Sequence, residues 1–226
     1  NTAALSGGGD GVPANNSISD VTAITGSGTT PLASYSFNEG TGTAVTDGSG
    51  NGNVGTTSGT TWTTSGKFGN ALVFNGSARV TIADTASLRL TTGMTLSAWV
   101  NPSAVSSAWR DVVYKGDDNY FLEATTTQSS RPAIGVSVGG SELAAFGAAP
   151  LVTNTWSHLA ATYDGLTLRL YLNGVQVSSA ARTGTIGTST NPLQIGGDSI
   201  YGQGFQGTID EVRVYNVALS ASQIQS

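Results

Sequence analysis

A short glycine-rich segment concentrates side chains that suit a metal ion. Asp47, Ser49, Asn51 and Asn53 alternate with glycines in the sequence DGSGNGN. This order matches the first half of a D-x-(D/N)-x-(D/N)-G loop, whose alternate side chains direct oxygens towards calcium. Calcium prefers about six to eight oxygen ligands at about 2.3–2.6 Å. The spacing therefore predicts a calcium site, although the twelfth position is Ser58 instead of the glutamate of an EF-hand.

The same segment has a second interpretation. Asp, Ser and Asn side chains commonly accept hydrogen bonds from their own backbone in tight turns, without any metal. Under this alternative, residues 47–53 form an ordinary loop. If calcium is bound, its expected role is structural, because an ion held by this loop would fix the loop to neighbouring strands.

The acidic residues and the single histidine do not form a recognisable catalytic set. A glycosidase needs two carboxyl groups, about 5–5.5 Å or about 6.5–9.5 Å apart. The four glutamates are far apart in the sequence, and the adjacent Asp210 and Glu211 are expected on opposite faces of a strand. His158 lies among apolar residues, and no G-x-S-x-G motif supplies a nucleophile. Asp117 and Asp118 indicate a solvated loop, or alternatively a ligand or second metal loop. The sequence therefore predicts a non-catalytic protein.

The aromatic residues suggest one ligand-binding region. A sugar site needs planar aromatic side chains with a few polar groups beside them. Trp99 and Trp156 lie in apolar segments and are expected in the core, and Trp62 is expected to pack. Polar residues surround Trp109, and SIYGQGFQG (199–207) adds an aromatic loop. The residues predicted to form a sugar or peptide cleft are Trp109, Arg110, Tyr114, Tyr120, Arg131, Tyr201 and Phe205. The alternative interpretation is that these side chains pack at scattered positions of a polar rim and form no ligand cleft.

The composition excludes several classes of partner. Charged residues make up 10% of the chain, and the net charge is −5. The nine Lys and Arg residues do not cluster, so neither a nucleic acid nor an anionic membrane is an expected partner. The chain has no cysteine, which excludes disulfides, thiolate catalysis and zinc thiolate sites. An apolar run of roughly 18 residues is also lacking, so membrane insertion is not expected.

The elements that must position these residues are strands. From Pro31 onward, short segments rich in Val, Ile, Leu and aromatics alternate with Gly, Asn and Ser turns. LTLRLYL (166–172) shows the period of two, with its leucines expected on one face. The pattern predicts an all-β fold, a two-sheet antiparallel β-sandwich of the jelly-roll type. Residues 217–226 are expected to form a short terminal helical turn capped by Ser220, and residues 1–30 indicate a linker or extended arm.

Six motifs in order carry a resemblance to a known family. They are SFNEGTGTAVTDGSGNGNVGT (36–56), KFGNALVFNG (67–76), MTLSAWVNP (94–102), NTWSHLAATYDGLTLRLYLNG (154–174), PLQIGG (192–197) and GTIDEVRVYNVALSASQI (207–224). Together they resemble the laminin-G-like jelly rolls of bacterial multidomain exoproteins, within the concanavalin-A-like lectin/glucanase superfamily. The resemblance covers residues 31–226 and implies one concanavalin-A-like domain there.

The resemblance also implies a site and a function. In similar jelly rolls the first and last strands pair and calcium lies near their ends, which adds Asn38 and Asp210 to the expected ligands; many relatives carry Asp at position 38. The glucanase motifs E-x-D-x-x-E and E-x-D-x-E are absent. The expected function is a non-catalytic, calcium-stabilised carbohydrate-binding module of a secreted multidomain polysaccharide-active protein, with a polysaccharide or glycan and other domains of the same polypeptide as partners. The expected location is extracellular, either secreted or at the cell surface. An adhesion or spacer domain is the alternative, and a glycoside hydrolase or polysaccharide lyase is the third possibility.

Overall fold

The computed structural model describes residues 30–225, and these form a sandwich of two antiparallel sheets. Residues 1–29, most of the predicted linker, lie outside the described part. Sheet A consists of β1 (Ala33–Tyr35), β4 (Thr61–Thr63), β5 (Ala71–Asn75), β7 (Met94–Pro102), β12 (Ser157–Tyr163), β13 (Thr167–Leu172), β14 (Val175–Ala181) and β16 (Gln206–Tyr215). Sheet B consists of β2 (Ala44–Val45), β3 (Gly55–Ser58), β6 (Arg79–Ile82), β8 (Arg110–Lys115), β9 (Tyr120–Thr125), β10 (Ala133–Val138), β11 (Ser141–Phe146) and β15 (Leu193–Ile195). The predicted all-β sandwich is confirmed.

The alternation of apolar residues determines which face of each strand meets the core. In β13, Leu168 and Leu170 are fully buried between the sheets, while Arg169 points outward. Leu166 departs from the predicted stripe, because it lies in the turn before β13 and remains 58% exposed. One continuous core cluster fills the space between the sheets, with Tyr35 and Phe37 among its largest members.

The two ends of the described chain meet in sheet A. Strand β1 pairs with β16, with Ala33 opposite Val214, as the resemblance implies. Helix α1 (Ala221–Ile224) follows, and Ser220 caps it with a reciprocal bond to Gln223, so the predicted terminal turn is confirmed. The C-terminal segment then packs on the outer face of sheet A, where Ile224 contacts Ala160.

A β-bulge in β16 corrects one prediction. The pairing of β16 with β7 runs through Asp210 opposite Trp99, and resumes at Arg213 opposite Ser97, with one extra residue between them. Glu211 has a positive φ of 51° in this bulge. Asp210 and Glu211 were expected on opposite faces, but the bulge leaves both at the outer side of sheet A.

Candidate functional site

The Asp47 carboxylate organises the predicted calcium loop through backbone hydrogen bonds. Its Oδ1 accepts from the N–H groups of Ser34 at 3.0 Å and Ser49 at 2.9 Å, and its Oδ2 accepts from Asn53 at 2.9 Å. Burial acts to raise the pKa of Asp47, but the hydrogen bonds from Ser49, Ser34 and Asn53 outweigh it and lower the pKa. The carboxylate therefore stays ionised and ties residues 47–53 to β1.

Three other predicted ligands converge on one backbone oxygen. The Leu32 carbonyl accepts from Ser49 Oγ at 3.0 Å, from Asn51 Nδ2 at 3.1 Å and from Asn53 Nδ2 at 2.8 Å. Amide oxygen and nitrogen can exchange places by a flip, so the two amides can also present oxygens to this point. The donor set is then one carboxylate, a hydroxyl, two amides and a carbonyl, which is chemically suited to calcium.

Asn38 and Asp210 contact a different segment. Asp210 is fully buried, and its Oδ2 accepts the Phe68 N–H at 2.9 Å. Asn38 Oδ1 accepts the Asn70 N–H at 2.9 Å. Burial raises the pKa of Asp210 despite the bond from Phe68. The predicted calcium ligands thus divide into two sets, one around the Leu32 carbonyl and one that holds residues 67–70. Within residues 30–225, no group of three or more His, Cys, Asp or Glu residues is arranged to hold a metal ion.

A groove of about 910 Å³ crosses the outer face of sheet A. Small side chains of β7 and β12, among them Ser97 and Ala160, form part of its lining. The C-terminal segment borders it, because Thr95 Oγ1 donates to the Val217 carbonyl at 2.7 Å and accepts from the Leu219 N–H at 2.9 Å. The loop held by Asp210 contributes Lys67 and Phe68.

Tryptophans that were predicted to be core residues line this groove. Trp99 and Trp156 are only partly buried and both face the groove, so that prediction is wrong. In β7 the core residues are Met94, Leu96, Ala98 and Val100. Strand alternation therefore places Trp99 on the outer face, together with Thr95 and Ser97, and the polar neighbours were the available signal.

The groove also holds a compact set of charged and ring groups. Lys67 Nζ lies 4.1 Å from the centre of the Trp99 ring, and the His158 ring centre lies 5.2 Å from that of Trp99. Arg213 donates to Glu211 at 2.6 Å. Burial, followed by the nearby Arg213 charge, lowers the pKa of His158 to about 4, so the imidazole is neutral at neutral pH. Such groups can exchange hydrogen bonds with hydroxyls of a neutral ligand.

The predicted aromatic cleft on sheet B exists in part. A cavity of about 160 Å³ lies on the outer face of this sheet, lined by Trp109, Asp118, Phe121, Glu123, Glu142, Tyr201 and Gln203. Tyr114 packs edge-on against Tyr201, with ring centres 6.4 Å apart. Arg110 donates to the Gly204 carbonyl at 3.1 Å, and Arg131 lies 5.9 Å from the Phe146 ring, which also contacts Trp109.

Two residues of the predicted cleft are core residues instead. Tyr120 is 1% exposed and its hydroxyl donates to the Leu88 carbonyl at 2.8 Å. Phe205 is also 1% exposed and packs edge-on against Phe74. Both side chains belong to the core cluster between the sheets. Successive side chains of an extended chain point to opposite sides, so a core residue can directly adjoin a residue of the outer face in the sequence. Tyr120 and Phe205 cannot contact a ligand at the surface.

The structure adds a group of carboxyls that the sequence interpretation missed. Asp111 of β8 pairs in register with Glu123 of β9, and Asp198 lies beside Asp111. Burial, with Glu123 and Asp198 nearby, raises the pKa of Asp111 well above its usual range. Burial raises the pKa of Glu123 to about 8. The alternation of YFLEAT, which puts Phe121 and Glu123 on one face, could have indicated this group.

Comparisons with solved structures show what the fold is similar to. Domain 4 of AbnA, an extracellular GH43 arabinanase from Geobacillus stearothermophilus solved in complex with arabinotriose, is 25% identical, with a TM-score of 0.69, and the match covers 87% of this chain and 97% of that domain. The binding domain of Paraclostridial Mosquitocidal Protein 1 is 14% identical, with a TM-score of 0.71, and the match covers 87% of this chain and 51% of that one. The second likeness shows the fold alone.

Comparisons of the sequence identify the family. A curated relative, mouse pappalysin-1, is 36% identical over 78 residues, which cover 31% of this chain and 5% of that protein. The chain thus spans a small part of this relative. In the described residues, the helices are too short or too polar to cross a membrane. A laminin-G family model, described as Concanavalin A-like lectin/glucanases superfamily, matches residues 74–225, which is most of the chain. The chain therefore belongs to the laminin-G-like family of the concanavalin A-like lectin/glucanase superfamily.

Proposed function

We propose that this domain is a non-catalytic carbohydrate-binding module that binds a glycan in the groove over sheet A. The observation that carries the proposal is the position of Trp99 and Trp156, which are partly exposed in a groove of about 910 Å³. Ligand sites are commonly about 300–1,000 Å³ and combine aromatic walls with a few polar groups. The arabinotriose complex of the similar AbnA domain is consistent with this choice of ligand class.

The polar groups of the groove suit a neutral, hydroxyl-rich ligand. The Arg213 and Glu211 side chains already neutralise each other at 2.6 Å, and His158 is uncharged. A sugar can lay its C–H face on an indole while its hydroxyls exchange hydrogen bonds with these groups. The remaining charged side chain of the groove, Lys67, lies with its Nζ 4.1 Å from the centre of the Trp99 ring.

The same groove argues against glycoside hydrolysis. Among the described residues that line it, Glu211 is the one carboxylate, and Arg213 binds it. Asp210 is adjacent but fully buried, with its Oδ2 occupied by the Phe68 N–H. Because both common glycosidase mechanisms need two carboxyl groups facing the bond, this arrangement favours binding over cleavage.

Calcium has a structural place in the proposal. Asp47, Ser49, Asn51, Asn53 and the Leu32 carbonyl would hold the ion, which would fix residues 47–53 to the start of β1. Asn38 and Asp210 have other partners in residues 67–70 and are left out of this set. We place the domain outside the cell and beside other domains, as in the extracellular arabinanase.

A glycan array followed by titration calorimetry tests the function. We expect array binding, and we expect Trp156→Ala and Trp99→Ala each to weaken the titrated oligosaccharide at least about tenfold, as buried aromatic anchors do. Tyr201→Ala removes an exposed aromatic side chain from the other sheet and should leave the affinity unchanged. A blank array would contradict the proposal and favour an adhesion or spacer domain. Cleavage of the oligosaccharide would contradict the non-catalytic assignment.

A further inference from the structure

The cavity on sheet B has an unusual combination of aromatic and acidic walls. Trp109 packs edge-on against Phe121, with ring centres 6.0 Å apart, and Tyr201 is a further aromatic residue of the lining. Tyr201 belongs to the loop that Asp198 organises, since Asp198 Oδ1 accepts from the Ile200 N–H at 2.7 Å and Oδ2 from the Gln203 N–H at 2.8 Å. The cavity therefore has a fixed frame on sheet B and a wall built by a hydrogen-bonded loop.

Glu123 lines this cavity and carries a buried carboxylate oxygen that has no protein donor among the described residues. The residue is 1% exposed and lines the cavity, and within residues 30–225 its Oε2 has no hydrogen-bond partner. Both carboxyl oxygens of the neighbouring Asp111 are buried, and in the described part of the chain the polar side chains beside them are the carboxyls of Glu123 and Asp198. A contact between two carboxyls becomes a hydrogen bond only when one of them carries a proton.

The described residues that line the cavity include no Lys or Arg. Asp118 and Glu142 line it together with Glu123. The ion pairs found among residues 30–225 involve other carboxylates, namely Asp84, Asp164 and Glu211. The nearby Arg110 donates to the Gly204 carbonyl, and Arg131 donates to the Gln128 carbonyl. Buried carboxylates without a counter-ion are costly, so a cation in the cavity would gain free energy from them.

We propose that this cavity binds a protonated primary amine, with the ammonium group against Glu123 and the adjoining C–H surface between Trp109 and Tyr201. An ammonium has three N–H donors, which matches the acceptor-rich wall formed by Glu123, Glu142 and Asp118, whose oxygens also accept hydrogen bonds from the hydroxyls of Tyr114 and Tyr201. Aromatic rings beside a carboxylate also favour an organic cation through cation–π attraction. Gln203 offers a neutral amide to a hydroxyl.

The volume and the geometry limit the ligand to something small. About 160 Å³ accommodates one sugar ring or a short alkyl chain. Two sources present the same ammonium chemistry, an amino sugar and a free alkylamine. The cavity lies on sheet B and the glycan groove on sheet A, so this inference does not rest on the proposed function.

Titrations with four probes test the inference. The probes are glucosamine, N-acetylglucosamine, butylamine and calcium chloride, followed by calorimetry and by the indole N–H signal of Trp109. We expect glucosamine to bind and N-acetylglucosamine, which lacks the charge, to bind at least tenfold more weakly. Butylamine separates the sources, because affinity equal to that of glucosamine assigns the site to alkylamines, and weaker affinity assigns it to amino sugars. Butylamine binding should strengthen from pH 6 to pH 8, because an alkylamine stays protonated over this range, as a lysine side chain does, while Glu123, whose pKa burial raises to about 8, loses its proton.

Variants decide whether Glu123 is responsible. Glu123→Gln keeps the shape and should weaken amine binding at least tenfold, while Asp164→Asn, which removes the same charge in the turn before β13, should leave it unchanged. If Glu123→Gln does not fold, Glu142→Gln at the same cavity should weaken binding in the same direction. Equal affinity for glucosamine and N-acetylglucosamine would overturn the inference, as would unchanged amine affinity in Glu123→Gln. Calcium binding without amine binding would also overturn it.

Discussion

The Asp210 carboxylate accepts the backbone N–H of Phe68 at 2.9 Å across 142 positions of sequence. Asp210 lies opposite Trp99 in the pairing of β16 with β7, and Phe68 packs edge-on against the Trp99 ring at 6.0 Å. One buried carboxylate thus fixes the loop that places Lys67 and Phe68 over the tryptophan of the groove. In this structure Asp210 acts as a loop anchor.

Replacement of this anchor should cost stability and loosen the groove. We expect Asp210→Ala to lower the free energy of unfolding by about 2–3 kcal/mol, because it leaves the partly buried Phe68 N–H without its carboxylate acceptor. Urea unfolding measures the loss, and hydrogen exchange of the Phe68 amide measures the release of the loop. Asp117→Ala, at an exposed aspartate, should change the unfolding free energy by less than about 0.5 kcal/mol. Unchanged Phe68 protection in Asp210→Ala would contradict the anchor.

The sequence was a good guide to the strands for a simple physical reason. In a segment such as LTLRLYL, the alternation of apolar and polar residues indicates which side chains face the core. Leu168 and Leu170 do face the core, where both are fully buried. The Ser220 cap was equally predictable, because its reciprocal bond with Gln223 is local in sequence. Such local patterns predict the folded structure well, because the contacts that they specify depend little on residues distant in the sequence.

The site was harder to predict because it depends on registers between distant strands. Asp111 and Glu123 meet through the pairing of β8 with β9, which contains register shifts that no local pattern specifies. The contact of Asp210 with the segment of residues 67–70 also depends on the tertiary structure, because Asp210 and Phe68 lie 142 positions apart in the sequence. Trp99 was assigned to the core from its apolar neighbours, although the sequence alternation placed it outside. Hydrophobicity alone does not distinguish a groove-lining indole from a buried one.

Calcium should stabilise the wild-type domain through the Asp47 loop. We expect the thermal midpoint to rise by several degrees with calcium relative to a chelator, because a ligand that binds only the folded state stabilises it. Asp47→Ala should abolish this calcium response. Asp210→Asn should retain it, since Asp210 contacts residues 67–70 and the proposed set surrounds the Leu32 carbonyl. Loss of the response in both variants would restore the single site implied by the resemblance, and no response in the wild type would eliminate the calcium site.

Stability should fall as the pH rises through the neutral range. The usual pKa of a glutamate is about 4.5, and burial raises that of Glu123 to about 8 in the folded chain. Between these two values the folded state holds a proton that the unfolded state has lost, so the free energy of unfolding decreases with rising pH. Urea midpoints from pH 5 to pH 9 measure this slope. Glu123→Gln should reduce the slope and leave the part that comes from Asp111, whose pKa burial also raises, whereas Asp164→Asn should not change the slope, because hydrogen bonds from Arg169 and from backbone amides lower the pKa of Asp164 and move its effect to acid pH.

Gly135 should prove essential to the cavity on sheet B. A Cβ at this position of β10 would overlap the ring of Phe121, which lines the cavity and contacts Trp109. We expect Gly135→Ala to lower the unfolding free energy by about 1–3 kcal/mol, as overpacking does, and to shift the Trp109 indole signal. Gly187→Ala is the matched control, because its Cβ would meet nothing closer than 3.5 Å. Adding Phe121→Leu to Gly135→Ala should recover part of the loss, since the smaller side chain makes room for the methyl group; no recovery would show that the cost arises elsewhere than at the Phe121 ring.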